Sequence, residues 1–106
     1  MFKDALVKVE GLSLFFLAAG SPAANPVELL NTQRTRNLLA SAKERFDWVI
    51  VDAPSVIECP ETGFLASFVD AVIFVARPHL NAEEKLRMAI EVLKGYSLVG
   101  IVLNGI

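Results

Sequence analysis

"FDWVIVDAPS", residues 46–55, passes from Phe46-Asp47 through four apolar positions to Asp52, and then turns at Ala53-Pro54. A short apolar run rich in β-branched residues and bounded by turn formers predicts a strand buried on both faces. Strands of that kind belong to parallel sheets with helices on either side, so this stretch decides the fold class. Its last residue also raises a chemical question. A carboxylate at the carboxyl end of a parallel strand can hold a magnesium-bound water beside the phosphates of a nucleotide. The same residue can instead form an Asx turn or cap the next helix.

Three further runs resemble it: residues 12–18, 71–76 and 98–103. Helix-compatible segments lie between them. Asn25-Pro26-Val27-Glu28 sets Asn25 as N-cap, Pro26 at N1 and Glu28 at N3 of a short helix. A second helix is expected from about Gln33 to Arg45, and a shorter one from Pro60 to about Phe68, weakened by Gly63. Asn81-Ala82-Glu83-Glu84 opens a helix through about Lys94. Its apolar stripe is Leu86, Ala89, Ile90 and Leu93, Glu83 and Arg87 are spaced to pair, and Gly95 is the stop.

Each crossover is long enough for parallel neighbours. The pattern therefore predicts one α/β domain over residues 1–106, with a parallel four-stranded sheet flanked by helices. Ligands of such sheets bind beyond the carboxyl ends of the strands. Those ends read Gly20-Ser21, Asp52-Ala53-Pro54, Arg77-Pro78 and Asn104-Gly105, so every strand delivers a polar or turn-forming residue to one edge. Asn104 can meet a base edge through its amide or simply favour a turn. Arg77 can meet phosphate or stay solvated. Glu58 and Glu61, either side of Cys59-Pro60, fit an acid-rich first helical turn better than a base or metal ligand. His79 reads as a loop residue, and Tyr96 as a packing residue.

Composition narrows the function classes. The chain is 54% hydrophobic with a mean hydropathy of +0.49, yet its apolar runs fall far short of the ~20 residues of a membrane helix. Ten basic and twelve acidic residues give a net charge of −2 without a basic cluster, which argues against nucleic-acid binding. The one cysteine excludes an internal disulfide and a cysteine-cluster zinc site. No signal-peptide pattern is visible at Met1-Phe-Lys-Asp, and a reducing cytoplasm is the expected location. A phosphate loop of the form G-x-x-x-x-G-K-[ST] wraps phosphates in backbone N–H groups, and none of the six glycines belongs to one.

"GLSLFFLAAGSPAANPVELLNT", "FDWVIVDAPSVIECPETGFLASFVDAVIFVARP" and "LVGIVLNGI" together resemble the C-terminal half of the bacterial tyrosine autokinase domain. That family governs capsular and exopolysaccharide synthesis and belongs to the Min/Par-like branch of P-loop NTPases. The resemblance runs from about Gly11 to Ile106, and Asp70 belongs to it. It implies a partial P-loop NTPase, Rossmann-like three-layer fold. Asp52 then matches the Walker B acid near Mg²⁺, with Pro54 beside it, and Asn104 matches the asparagine that contacts adenine. Ser55 stands where a second proline is usual, and Glu61 where an Asp is usual.

The Walker A and Walker A′ region and the tyrosine-rich tail have no counterpart here. The resemblance thus implies a truncated kinase-like domain for which Mg-ATP is the family cofactor, but which holds no nucleotide tightly by itself and shows no catalysis alone. It places the missing phosphate-loop strand beside the strand that ends at Asp52, so self-association or a complementary N-terminal half is expected. The family's membrane polysaccharide co-polymerase components are the further expected partners, at the inner face of the membrane. A non-catalytic interaction module and a fragment of a Min/Par-type ATPase are the alternative readings.

Overall fold

The computed structural model describes residues 5–18, 26–78 and 82–105. The strand end at Gly20-Ser21, the caps at Asn25 and Asn81, and His79 lie outside them. In chain order the elements are β1 (Val7–Val9), β2 (Leu14–Phe16), α1 (Pro26–Leu30), α2 (Gln33–Arg45), a 3-10 helix (Pro60–Phe68), β3 (Val72–Ala76), α3 (Ala82–Val92) and β4 (Leu98–Leu103).

The helices stand where local signals put them. Thr32 is the N-cap of α2, with an extended backbone, and its hydroxyl accepts from the Thr35 N–H at 3.3 Å. Lys43 and Arg45 fill the last turn, where cations complement the helix dipole. In α3, Glu83 and Arg87 pair at 2.8 Å, and Gly95 takes a φ of +90° just past the end, where the Tyr96 N–H reaches the Leu93 carbonyl. Of the expected stripe, Ala89 and Leu93 are buried, Leu86 is half-buried and Ile90 is exposed. The segment from Pro60 winds as a 3-10 helix. Gly63 lies so close to α3 that a Cβ there would sit 3.1 Å from Val92 Cγ1.

The sheet differs from expectation. Strands β3 and β4 pair in parallel from Val72↔Leu98 to Ala76↔Leu103, with a register shift between Val72 and Ile73, and α3 is their crossover. This βαβ unit is the expected one. Residues 14–16, however, join no parallel sheet. They form an antiparallel hairpin with Val7–Val9, a strand the sequence reading did not anticipate, through a turn in which Gly11 has a φ of +80°. Residues 48–51 are in no strand at all. Among the described residues the four-stranded parallel sheet is therefore replaced by two separate two-stranded sheets. The physical reason is that a strand exists through its neighbours' hydrogen bonds, and no described segment pairs with residues 48–51.

The consequence is exposure. Trp48 is 86% and Ile50 90% exposed, and the β3–β4 pair leaves apolar residues in solvent on both of its faces, Ile73, Val75 and Val102 on one and Ile101 on the other. Burial on both faces, expected for these strands, is not found. The buried apolar core among the described residues is Ala42, Ala89 and Leu93. The accessible surface is 8584 Å², against about 5,800 Å² for a folded monomer of this mass. The radius of gyration is 15.3 Å, where a compact chain of this length has about 13 Å.

Core and open strand should respond differently to truncation. Leu93→Ala is expected to cost about 2–5 kcal/mol by removing a buried side chain. Ile50→Ala is expected to stay within about 0.5 kcal/mol, since nothing covers Ile50. Urea unfolding followed by circular dichroism checks both.

Candidate functional site

The carboxyl ends of β3 and β4 meet. The Asn104 N–H extends the ladder by donating to the Ala76 carbonyl at 2.9 Å, which sets Arg77 and Asn104 side by side beyond the last paired residues. Gly105 turns the chain with a φ of +83°, and a Cβ there would lie 3.8 Å from Arg77 Cγ. An alanine would thus fit the space but not the backbone, because positive φ penalises a Cβ. The Arg77 and Asn104 side chains are exposed and make no hydrogen bond or ion pair with a described residue. Sequence had assigned both residues to one edge, and these two are indeed neighbours.

Asp52 sits in the open segment after Val51, also exposed and without a side-chain partner among the described residues. Its structural alternative was an Asx turn or helix cap. That role belongs instead to Ser55, whose Oγ accepts from the Ile57 N–H at 3.3 Å and the Glu58 N–H at 3.4 Å, while the Ser55 carbonyl accepts from the Cys59 N–H at 2.8 Å. Ser55 thereby starts the turn that leads into the 3-10 helix. Pro54 lies exposed between the free acid and this turn. No hydrogen bond or ion pair among the described residues links Asp52 to Arg77 or Asn104, whereas Arg77 and Asn104 sit side by side through the β3–β4 ladder.

The donor set fits a magnesium nucleotide in part. Mg²⁺ keeps several waters and takes one or two carboxylates together with substrate phosphates, and Asp52 can supply one such carboxylate. Among the described residues no group of three or more His, Cys, Asp or Glu side chains could hold a metal by itself. Glu58 is exposed and points to no such cluster.

Sequence reading missed a groove between α2 and the 3-10 helix, lined by Arg36, Leu39, Ala40, Lys43, Ser67 and Phe68. Its two cations are already engaged. The Arg36 guanidinium lies 4.3 Å over the Phe68 ring, and Lys43 pairs with Asp70 at 3.0 Å. Arg36, Leu39, Ala40 and Lys43 recur at helical spacing, which is the signal that would have revealed this face. It also gives Asp70 a structural partner.

A parallel βαβ unit with polar side chains free at its strand ends defines the class: an α/β domain with a candidate ligand edge. No protein-family model matches the chain. Among curated proteins it is 32% identical over 92 residues to the tyrosine-protein kinase Etk of Escherichia coli K12, which covers 85% of this chain and 13% of that protein. It is 28% identical over 93 residues to the tyrosine-protein kinase assigned to the cps region of Klebsiella pneumoniae, again 86% of this chain and 13% of the relative. Of solved structures, the BceF tyrosine kinase domain superposes with a TM-score of 0.85 at 28% identity, over 97% of this chain and 43% of that one. The chain is homologous to the C-terminal region of bacterial tyrosine-protein kinases, and spans about 13% of the length of these curated relatives.

Free polar side chains at a strand edge should be removable without unfolding the chain. Asp52→Asn and Asn104→Ala are each expected to shift stability by less than about 0.5 kcal/mol. A loss above about 2 kcal/mol in thermal or urea melts would mark the residue as structural instead.

Proposed function

We propose that residues 1–106 supply part of the nucleotide domain of a bacterial tyrosine autokinase devoted to capsular or exopolysaccharide synthesis. Asp52 is the Walker B acid and holds a magnesium-bound water. Pro54 stiffens the turn beside it, Asn104 faces adenine, and Arg77 adds positive charge near the phosphates. Magnesium supplies charge neutralisation on the phosphates when the nucleotide is bound. This chain's own residues orient that metal's water and the base. The observation that carries the reading is the homology to tyrosine-protein kinases over most of the chain, combined with strand-end side chains left free of structural duties.

The same residues lack the means to hold ATP alone. Phosphoryl transfer rests on positioning and charge neutralisation, and these depend on a loop that wraps the phosphates. The 106 residues contain no G-x-x-x-x-G-K-[ST]. The chain on its own is therefore catalytically silent. The polysaccharide co-polymerase components of the membrane are its distant partners, reached through a larger kinase at the inner membrane face. No helix among the described residues is long and apolar enough to cross a membrane itself. A second reading, an interaction module without catalysis, draws on the large apolar surface left open.

Titration calorimetry with Mg-ATP tests the first half of this proposal. The isolated chain is expected to bind with a Kd weaker than about 1 mM, or less than about 4 kcal/mol. Micromolar, magnesium-dependent binding would overturn it. Supplying a phosphate-loop half in trans separates the two readings: ATPase activity that disappears in Asp52→Asn supports the kinase-domain role, and a stable but inactive complex supports the interaction module.

A further inference from the structure

The groove between α2 and the 3-10 helix is a second place where side-chain chemistry collects, and it is separate from the candidate ligand edge. Asp70, paired with a lysine of the groove, precedes β3, whereas Arg77 follows it, so the five residues of β3, about 16 Å of strand, lie between the two. Positive charge concentrates on α2. That helix carries four of the chain's ten cations, Arg34, Arg36, Lys43 and Arg45, and one of its twelve acids, Glu44. In a chain of net charge −2, this helix is the part that attracts an anion.

The two cations of the groove are engaged in ways that leave capacity. The Arg36 guanidinium lies 4.3 Å over the Phe68 ring, which uses its face and fixes its plane. The N–H fork at its edge meets no acceptor among the described residues. Lys43, two turns further along α2, meets Asp70 at 3.0 Å, and both side chains of that pair are exposed. Such a pair contributes little and opens to a stronger anion. Ser67 adds no donor, because its hydroxyl already donates to the Phe64 carbonyl at 2.6 Å. Between the cations the floor is apolar, formed by Leu39, Ala40 and Phe68. The groove holds about 210 Å³, below the ~300 Å³ at which small-molecule sites begin, so it suits one side chain better than a nucleotide.

We infer that this groove docks a phosphotyrosine side chain of a peptide segment, with the phosphate on the Arg36 fork and the ring over Leu39 and Ala40. The inference rests on the kinase-domain reading for the source of that residue, since the relatives are tyrosine-protein kinases. A phosphate dianion brings three acceptor oxygens to a guanidinium fork and competes with Asp70 for Lys43 more strongly than a carboxylate does. Aspartate, glutamate and phosphoserine have no ring to cover the apolar floor. A lipid surface, being broad, would engage Arg34 and Arg45 as readily as Arg36, and has no use for a recess the size of one side chain. The distance from the strand ends makes this a recognition site and not a place of phosphoryl transfer.

The probe is a fluorescein-labelled peptide of glycine and alanine around one phosphotyrosine, titrated with the intact 106-residue chain and followed by anisotropy. A Kd of about 10–100 µM is expected. The unphosphorylated and phosphoserine forms are expected to bind about tenfold more weakly or worse. Arg36→Lys keeps the charge but loses the fork, and is expected to weaken binding about tenfold. Lys43→Ala is expected to weaken it about threefold, with Lys43→Arg restoring it. Arg87→Ala removes an equally exposed cation on α3 and is expected to leave binding unchanged. All are surface changes, so the circular dichroism of the free chain should stay the same.

No binding up to about 1 mM overturns the inference. Equal affinity for the phosphoserine peptide, or displacement by equimolar inorganic phosphate, overturns it too, since either marks a general anion site. Binding indifferent to Arg36→Lys puts the occupant elsewhere and has the same effect. Phosphatidylglycerol vesicles that bind through Arg36 while the peptide does not would overturn it in favour of a lipid surface. Selective peptide binding by a chain that gains no ATPase activity with a phosphate-loop half leaves the groove standing and removes the nucleotide reading. ATPase activity without peptide binding does the reverse.

Discussion

A β-strand is not a property of its own residues. Helix hydrogen bonds close within four residues, but a strand's N–H and carbonyl groups find partners only on another segment. Nearly everything unusual in this chain follows from that constraint acting on residues 48–51. Their sequence specifies a buried strand, yet no described segment lies alongside them, so the segment is extended without being a strand. The two small sheets stay apart. Apolar side chains intended for burial stand in solvent, and the radius of gyration of 15.3 Å reflects a chain whose middle is not closed.

The division between what could be read from the sequence and what could not falls along the same line. Locally encoded features were legible: α2 from Gln33 to Arg45, the Glu83–Arg87 pair, and the stop at Gly95 with its positive φ. The βαβ unit was legible too, because its two strands and crossover helix all lie in the chain. Sheet architecture was not, since the pattern of residues 48–51 describes the environment they were built for and says nothing of whether it is present. The hairpin strand Val7–Val9 was missed for another reason: it is three residues long and mostly exposed, so it carries no burial pattern to detect. The 3-10 winding of Pro60–Phe68 was not legible either: Gly63 marks it only as a weak helix, and its close approach to Val92 is a tertiary contact that propensity does not encode.

The candidate ligand edge shows how local structure can sharpen a functional reading. Asp52 had a respectable structural alternative, and the turn after it does require a cap. Ser55 performs that capping with two hydrogen bonds, which leaves the Asp52 carboxylate without a folding duty. Asn104 is similar: its backbone completes the β3–β4 ladder and Gly105 makes the turn, so its amide is not consumed by either. Polar side chains released from structural work at the carboxyl ends of strands are where ligands of α/β sheets are met.

Exposed apolar surface of this extent is costly to leave open and rewarding to cover. Even a third of the excess area, at about 25 cal/mol per Å², corresponds to about 20 kcal/mol of gross burial, above the 4–15 kcal/mol estimated for association. Area alone gives no specificity, and it would serve aggregation as readily as assembly.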